Sequence, residues 1–98
     1  MELLTPWYSP SDARRTEAEL ARELHAAHVL SGIPVKAIAL RQDRDDAAFE
    51  LQDGSSRVAV VHLTRSRESD AQWPATTIYS NRAEFSKRVA EDHAEFET

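Results

Sequence analysis

Two apolar runs joined by an Asp-Gly turn constrain the fold of this chain more than any other feature. The first run covers residues 47–52, and the turn follows as Asp53-Gly54-Ser55-Ser56. The second run, residues 57–64, reads Arg-Val-Ala-Val-Val-His-Leu-Thr. Strand-like runs on either side of Asp-Gly are typical of a β-hairpin. The pattern therefore predicts two antiparallel strands in the middle of the chain.

Two further segments extend this hairpin into a sheet. Residues 35–42 form an eight-residue run with turn signals on both sides, and this favours a strand over a helix. Residues 75–79 are rich in β-forming side chains and predict a fourth strand. Residues 35–64 then fold as a three-stranded meander, to which the fourth strand adds an edge.

Helices are predicted at both ends of the sequence. Ser9 followed by Pro10 is a helix-start signal, and the apolar spacing after it predicts a helix over about 10–27. Ser80 or Asn81 is the predicted cap of a final helix. The expected fold class is α+β, with a three- to four-stranded antiparallel meander and the order αββββα. We expect both helices on one sheet face, leaving the other face solvated or free to bind.

Composition limits the function classes. Ninety-eight residues predict a single domain, residues 1–98, and the absence of cysteine excludes disulfides and thiolate sites. A net charge of −5, with basic residues dispersed among acids, disfavours nucleic acid and anionic lipid as partners. No apolar run is long enough to span a membrane, and the N-terminus lacks signal-peptide character. These features predict a cytoplasmic protein with no membrane contact.

A single core is expected to unite the sheet and the helices. Its members are the apolar residues that fall on the predicted inner faces: Leu20, Leu24, Phe49, Val58, Val60 or Val61, Phe85 and Val89.

His62 is the side chain on the hairpin best suited to chemistry. It shares a strand face with Val58, Val60 and Thr64. In one interpretation it carries protons or donates a hydrogen bond to a ligand. In the other, which the pattern favours, it is a partly buried histidine satisfied by a neighbour.

Other titratable residues suggest weaker possibilities. His25 and His28 are three residues apart, a spacing that suits one metal, but the helix macrodipole also favours histidine near a helix C-terminus. No third ligand can be assigned, so no metal site is predicted. Asp43, Asp45 and Asp46 form an acidic turn that is either solvated or able to bind a cation or an arginine-rich partner.

Trp73 and Pro74 close the polar connection 65–74. Tryptophan at this place either anchors the loop with a buried indole or contacts a partner, since tryptophan is enriched at interface hot spots. We expect the buried anchor, because a ten-residue polar loop needs a point of attachment.

No catalytic motif or cofactor-binding motif is present. The sequence therefore predicts a non-enzymatic binding module, for example an immunity- or antitoxin-like inhibitor of a basic protein partner. The alternative is a small ligand-binding domain or enzyme centred on His62. No catalytic residue and no cofactor is assigned, and the candidate binding residues are Asp45, Asp46, His62, Thr64 and Trp73.

The chain resembles a family of short uncharacterised bacterial proteins in three segments, Asp45–Leu51, Val58–Thr64 and Trp73–Pro74. The resemblance covers about residues 18–85. Arg65 stands where the family pattern has tryptophan, and Ala26-Ala27 stands where it has a Pro-Gly turn. The resemblance implies a bacterial origin and a shared fold, but no established activity.

Overall fold

A computed structural model describes residues 2–97 of the 98. The chain forms five strands and two helices: β1 (Trp7–Tyr8), α1 (Ala13–Glu23), β2 (Val35–Arg41), β3 (Asp46–Leu51), β4 (Val58–His62), β5 (Thr76–Tyr79) and α2 (Arg82–Phe96). The strands are antiparallel, and they lie in the sheet in their order along the chain. The α+β class and the meander are confirmed, with one strand more than expected.

The predicted hairpin is β3 and β4. Gly54 adopts a positive φ of 83° in the connecting turn. The side chain of Asp53 fixes that turn, because its carboxylate accepts hydrogen bonds from the Ser55 amide at 3.0 Å and from the Ser55 hydroxyl. Glycine accepts this left-handed conformation without steric cost.

The additional strand is β1, which pairs with the end of β2. Its Trp7 is only 2% exposed and meets Phe85 edge to face, with ring centroids 5.3 Å apart. A two-residue strand carries no periodicity, so local sequence could not reveal it.

The two helices cover opposite faces of the sheet, and the expectation of one shared face is wrong. Leu20 of α1 packs in a cluster with Phe49 and Val61. Phe85 and Val89 of α2 pack in a second cluster with Val58, Val60 and Trp7. The expected single core is therefore two cores, and Leu24 is only partly buried at the edge of the first.

The physical reason lies in β3 and β4. Ala47, Ala48 and Phe49 are all buried, as are residues 58–61 of β4. A strand that is apolar on both faces needs cover on both. Alanines at the centre of the sheet also leave room for each helix to approach closely.

The pairing of β2 with β3 shifts register between Ala37 and Ala39. Ala37 packs on the α1 side, whereas Ile38 and Ala39 both pack on the α2 side, so the regular alternation of side chains between the two faces is broken there. Glu17 of α1 accepts a hydrogen bond from the Ala37 amide at 2.9 Å. This contact satisfies a backbone donor beside the irregularity.

Helix α1 is shorter than the predicted 10–27. Asp12 is its N-cap and accepts a hydrogen bond from the Arg15 amide at 3.1 Å, so the helix begins later than the Ser9-Pro10 signal indicates. The start of α2 is confirmed, because Asn81 accepts a hydrogen bond from the Glu84 amide at 2.9 Å.

Candidate functional site

One corner of the α2 side of the sheet contains a cleft of about 210 Å³. It lies where the β2–β3 turn, the end of β4, the start of β5 and α2 meet. We call it the His62 cleft, and it is lined by Arg44, Asp46, Val60, His62, Ala75, Thr76, Thr77 and Arg88.

The centre of the cleft is a carboxylate–histidine pair. Asp46 and His62 face each other across β3 and β4, with 2.7 Å between Asp46 Oδ1 and His62 Nδ1. Asp46 is 4% exposed, whereas the His62 side chain is 49% exposed. A carboxylate only accepts hydrogen bonds, so Nδ1 donates and Nε2 stays available. Within residues 2–97, Nε2 has no hydrogen-bond partner.

Two arginines approach the same pair. Arg44 lies on the β2–β3 turn, and its Nε is 3.1 Å from Asp46 Oδ2. Arg88 projects from α2 and places a terminal nitrogen 4.0 Å from that oxygen. Burial lowers the pKa of Arg88, but its hydrogen bonds to Tyr79 and Asp92 outweigh this, so the pKa is raised and the guanidinium stays charged.

Asp92 connects this corner to the rest of the α2 side. Its Oδ2 accepts hydrogen bonds from Trp7 Nε1 at 2.8 Å and from Arg88 Nε at 2.9 Å. Arg41 of β2 lies 3.3 Å from the same oxygen. One buried carboxylate thus holds the first strand, the second strand and the last helix together, and it fixes the position of Arg88.

The predicted binding residues separate into two groups. Asp46 and His62 come together, as described. Thr64 lies on the α1 side, where its amide and hydroxyl donate to Glu23, so the expected shared face with His62 is wrong. Asp45 is exposed and pairs with Arg65 at 3.2 Å. The predicted acidic turn is consequently bound by arginines of this chain.

Glu23, at the C-terminal end of α1, is a fully buried residue that the sequence analysis did not single out. Oε1 accepts from the Thr64 amide at 2.8 Å and from its hydroxyl at 3.1 Å, and Oε2 accepts from the Arg65 amide at 3.0 Å. Burial raises the pKa of Glu23, and a hydrogen bond with Glu19 raises it further. Its place three residues after Leu20, on the apolar side of α1, was the only available signal.

His25 and His28 lie beyond the end of α1, in the connection to β2, and not on a helix. His28 is buried; Nδ1 accepts from the Leu30 amide at 3.0 Å, so Nε2 donates to the Pro74 carbonyl at 3.0 Å. His25 accepts from the Ala27 amide. No group of three or more His, Asp or Glu side chains in residues 2–97 is arranged to hold a metal ion.

Trp73 is 47% exposed, so the prediction of a buried anchor is wrong. The connection 63–75 is held instead by Glu23 at its beginning and by His28 at Pro74, and Pro74 itself is buried. Because these two attachments hold the loop, the indole of Trp73 is not needed as an anchor and stays about half exposed to solvent.

A larger cavity of about 350 Å³ lies beside α1 and includes Asp12, Glu19 and Arg65 in its lining. These charged groups have structural partners. Asp12 caps the helix, Glu19 binds Arg22 at 2.8 Å, and Arg65 binds Asp45. The His62 cleft is the stronger candidate site because it also contains a half-exposed imidazole that is held by a buried carboxylate.

No protein-family model, curated protein or solved structure matches this chain. Neither helix is long and apolar enough to cross a lipid bilayer, judged over the described residues.

Proposed function

We propose that this chain is a non-enzymatic protein-interaction module of the bacterial cytoplasm, and that its contact surface centres on Trp73. The exposure of that indole is the observation that carries the proposal. The other tryptophan of the chain is 2% exposed, whereas Trp73 presents 47% of its surface. Large aromatic side chains bury much area on association, and tryptophan is enriched at interface hot spots.

The strand that follows Trp73 adds a second element to this surface. β5 is an edge strand, and no strand lies beyond it in the part of the chain described. The His62 amide donates to the Ala75 carbonyl at 2.9 Å, so by antiparallel alternation Thr76 and Ile78 turn their backbone groups outward. Such an edge offers hydrogen bonds to an extended segment of a partner. The sequence predicted an open sheet face, but the helices cover both faces. The exposed surfaces left for a partner are therefore the β5 edge and the loop 65–74, which contains Trp73.

The charge of the molecule favours a basic partner. The net charge of the whole chain is −5, whereas the loop 65–74 is itself neutral, with Arg65 and Arg67 against Glu68 and Asp70. An acidic module that covers a basic protein corresponds to an immunity- or antitoxin-like role.

The test compares two exposed aromatic side chains in the source bacterium. Tagged wild-type protein, Trp73→Ala and Phe96→Ala are purified from cells, and co-purifying proteins are quantified by mass spectrometry. Phe96 is 40% exposed near the end of α2, so it is a matched control. A specific partner should be retained by Phe96→Ala and reduced roughly tenfold by Trp73→Ala, as for a hot-spot residue. Recovery that is the same for all three proteins contradicts the proposal.

A second candidate function is ligand binding, or catalysis, centred on His62. The observation that favours it is the Asp46–His62 pair, in which a buried carboxylate orients a half-exposed imidazole towards a cleft. The same orientation by a carboxylate is used where histidine acts as a base or a ligand.

A further inference from the structure

We propose that the His62 cleft binds a small oxyanion, a carboxylate or a phosphate group. The proposal rests on the second function above, ligand binding at His62, and it specifies the charge of the ligand. The lining holds one carboxylate, Asp46, against the guanidinium groups of Arg44 and Arg88. The other polar groups available to a ligand there are the hydroxyl of Thr77 and the ring of His62, since the Thr76 hydroxyl already donates to the Pro74 carbonyl at 3.0 Å.

The acceptor capacity of the cleft is already engaged. Asp46 Oδ1 accepts from His62, and Oδ2 faces Arg44 at 3.1 Å and Arg88 at 4.0 Å. Asp46 is also buried, so little of its carboxylate is presented to solvent. A cationic ligand would meet two guanidinium groups and no free carboxylate.

Donor capacity, in contrast, remains. Arg44 uses only Nε towards Asp46, and its terminal nitrogens have no partner in residues 2–97. Arg88 uses Nε for Asp92 and one terminal nitrogen for Tyr79 at 2.8 Å, and its other terminal nitrogen lies 4.0 Å from Asp46 Oδ2. Planar guanidinium groups suit carboxylate and phosphate oxygens.

Arg88 is also preorganised for this role. Asp92 and Tyr79 fix its guanidinium, so it loses little side-chain freedom when a ligand arrives. The volume of about 210 Å³ corresponds to roughly seven water molecules of about 30 Å³ each, enough for phosphate or a short carboxylate.

The experiment is an NMR titration at constant ionic strength, following the His62 ring proton on Cε1 and the Thr77 amide. Inorganic phosphate and acetate are the anionic probes, and they distinguish phosphate from carboxylate ligands. Acetamide and methylammonium are the uncharged and cationic probes. Saturable shifts at both positions with phosphate or acetate, and with neither of the other two, support the proposal.

Matched variants separate the cleft from general electrostatics. Arg44→Gln should weaken anion binding roughly tenfold, the loss of a charge-assisted contact. Arg14→Gln removes the same charge from an exposed position on α1, on the other side of the sheet, and should leave binding unchanged. Equal weakening by both variants contradicts the proposal.

The remaining outcomes distinguish ligand binding at His62 from the more specific claim that the ligand is an oxyanion. If only acetamide or methylammonium shifts His62, the cleft binds ligands but the oxyanion class is wrong. If no probe shifts the His62 signal, both ligand binding at His62 and the oxyanion proposal are contradicted. The separate proposal of an interaction surface at Trp73 is not affected by that result.

Discussion

Glu23 places both carboxyl oxygens against the backbone at residues 64 and 65, and it does so without exposure to solvent. Burying a carboxylate costs free energy that only hydrogen bonds can offset. Here the offset comes from two part-buried amides and one hydroxyl, and the hydroxyl also lies 2.7 Å from a carboxyl oxygen of Glu68. Arg65 has a positive φ of 61° at this point, so the bonds also hold an unfavourable backbone conformation.

Glu23→Ala should therefore be strongly destabilising. Two part-buried amides lose their acceptor, at a cost of about 1 kcal/mol each, so we expect a loss of ~2 kcal/mol in the free energy of unfolding, measured by urea denaturation. Glu91→Ala, at an exposed position on α2, is the control and should change stability by less than about 0.5 kcal/mol. A loss from Glu23→Ala no greater than the control's would show that the carboxylate does not hold this loop.

The raised pKa of Glu23 has a consequence for stability against pH. Its ordinary value is 4.5, and burial makes the folded state bind the proton more tightly than the unfolded state. Stability linked to Glu23 therefore falls as the pH rises through the interval above 4.5, and is recovered on acidification. Glu19 and Glu50, whose pKa values are lowered by arginine partners, act below 4.5 instead.

This difference should appear in denaturation midpoints measured between pH 7 and pH 4.5. As the pH falls, the denaturation midpoint of wild type should rise relative to that of Glu23→Gln, because only wild type can bind a proton at position 23. Parallel pH profiles for the two proteins would contradict the assignment. All other titratable groups are common to the two proteins, so their contributions cancel in the comparison.

The exposure of Trp73 can be measured in the free protein. Trp7 is buried and hydrogen-bonded to Asp92, so the red, acrylamide-accessible part of the tryptophan emission should come from Trp73. Trp73→Phe should remove that part and leave a blue, poorly quenched spectrum. Loss of the blue component instead would mean that Trp73 is the buried tryptophan.

At the scale of elements, local signals were sufficient for some features. Asp53-Gly54 predicted the hairpin and Asn81 predicted the cap of α2, because a turn and a cap are decided by residues next to each other in sequence. The faces on which the helices pack were not predictable in this way. They depend on how β3 and β4 are covered from both sides, which is a property of segments distant in sequence.

The candidate site was predictable in part for the same reason. His62 was predicted on a strand and Asp46 in the acidic turn before the neighbouring strand, but their contact depends on the register of β3 against β4. Arg88 is 42 positions further along the chain from Asp46, and nothing local indicates that α2 brings it there. The exposure of Trp73 followed from the attachments made by Glu23 and His28, which no pattern revealed.

Because the two apolar clusters are separate, substitutions in one should affect stability independently of substitutions in the other. Phe49 packs on the α1 side and Phe85 on the α2 side, with the sheet between them. Phe49→Leu and Phe85→Leu should each destabilise the protein by about 1–2 kcal/mol, less than the 3–5 kcal/mol expected for alanine. Because the two sites share no apolar cluster, the double variant should equal the sum of the single ones within about 0.5 kcal/mol. A coupling above about 1 kcal/mol would indicate a single core.

At the scale of the whole molecule, the charged network is concentrated on the α2 side. Asp46 and Asp92 are both buried there, each facing two arginines. The α1 side instead uses Glu17 and Glu23 to satisfy backbone amides. On the α2 side, therefore, the carboxylates bind arginine side chains near the His62 cleft. On the α1 side, the carboxylates bind backbone amides. This asymmetry supports a ligand site on the α2 side.

The hydrogen bond from Trp7 to Asp92 joins residues 85 positions apart, and this separation affects when the contact forms during folding. Closing so long a loop is costly in chain entropy, so the contact should form after the hairpins and be among the last to close. Its loss should then leave the folding rate nearly unchanged and accelerate unfolding. In stopped-flow measurements, Asp92→Asn should shift the unfolding arm of the chevron far more than the folding arm. The junction of the first strand with the last helix would thus govern how long the native state persists once it has formed.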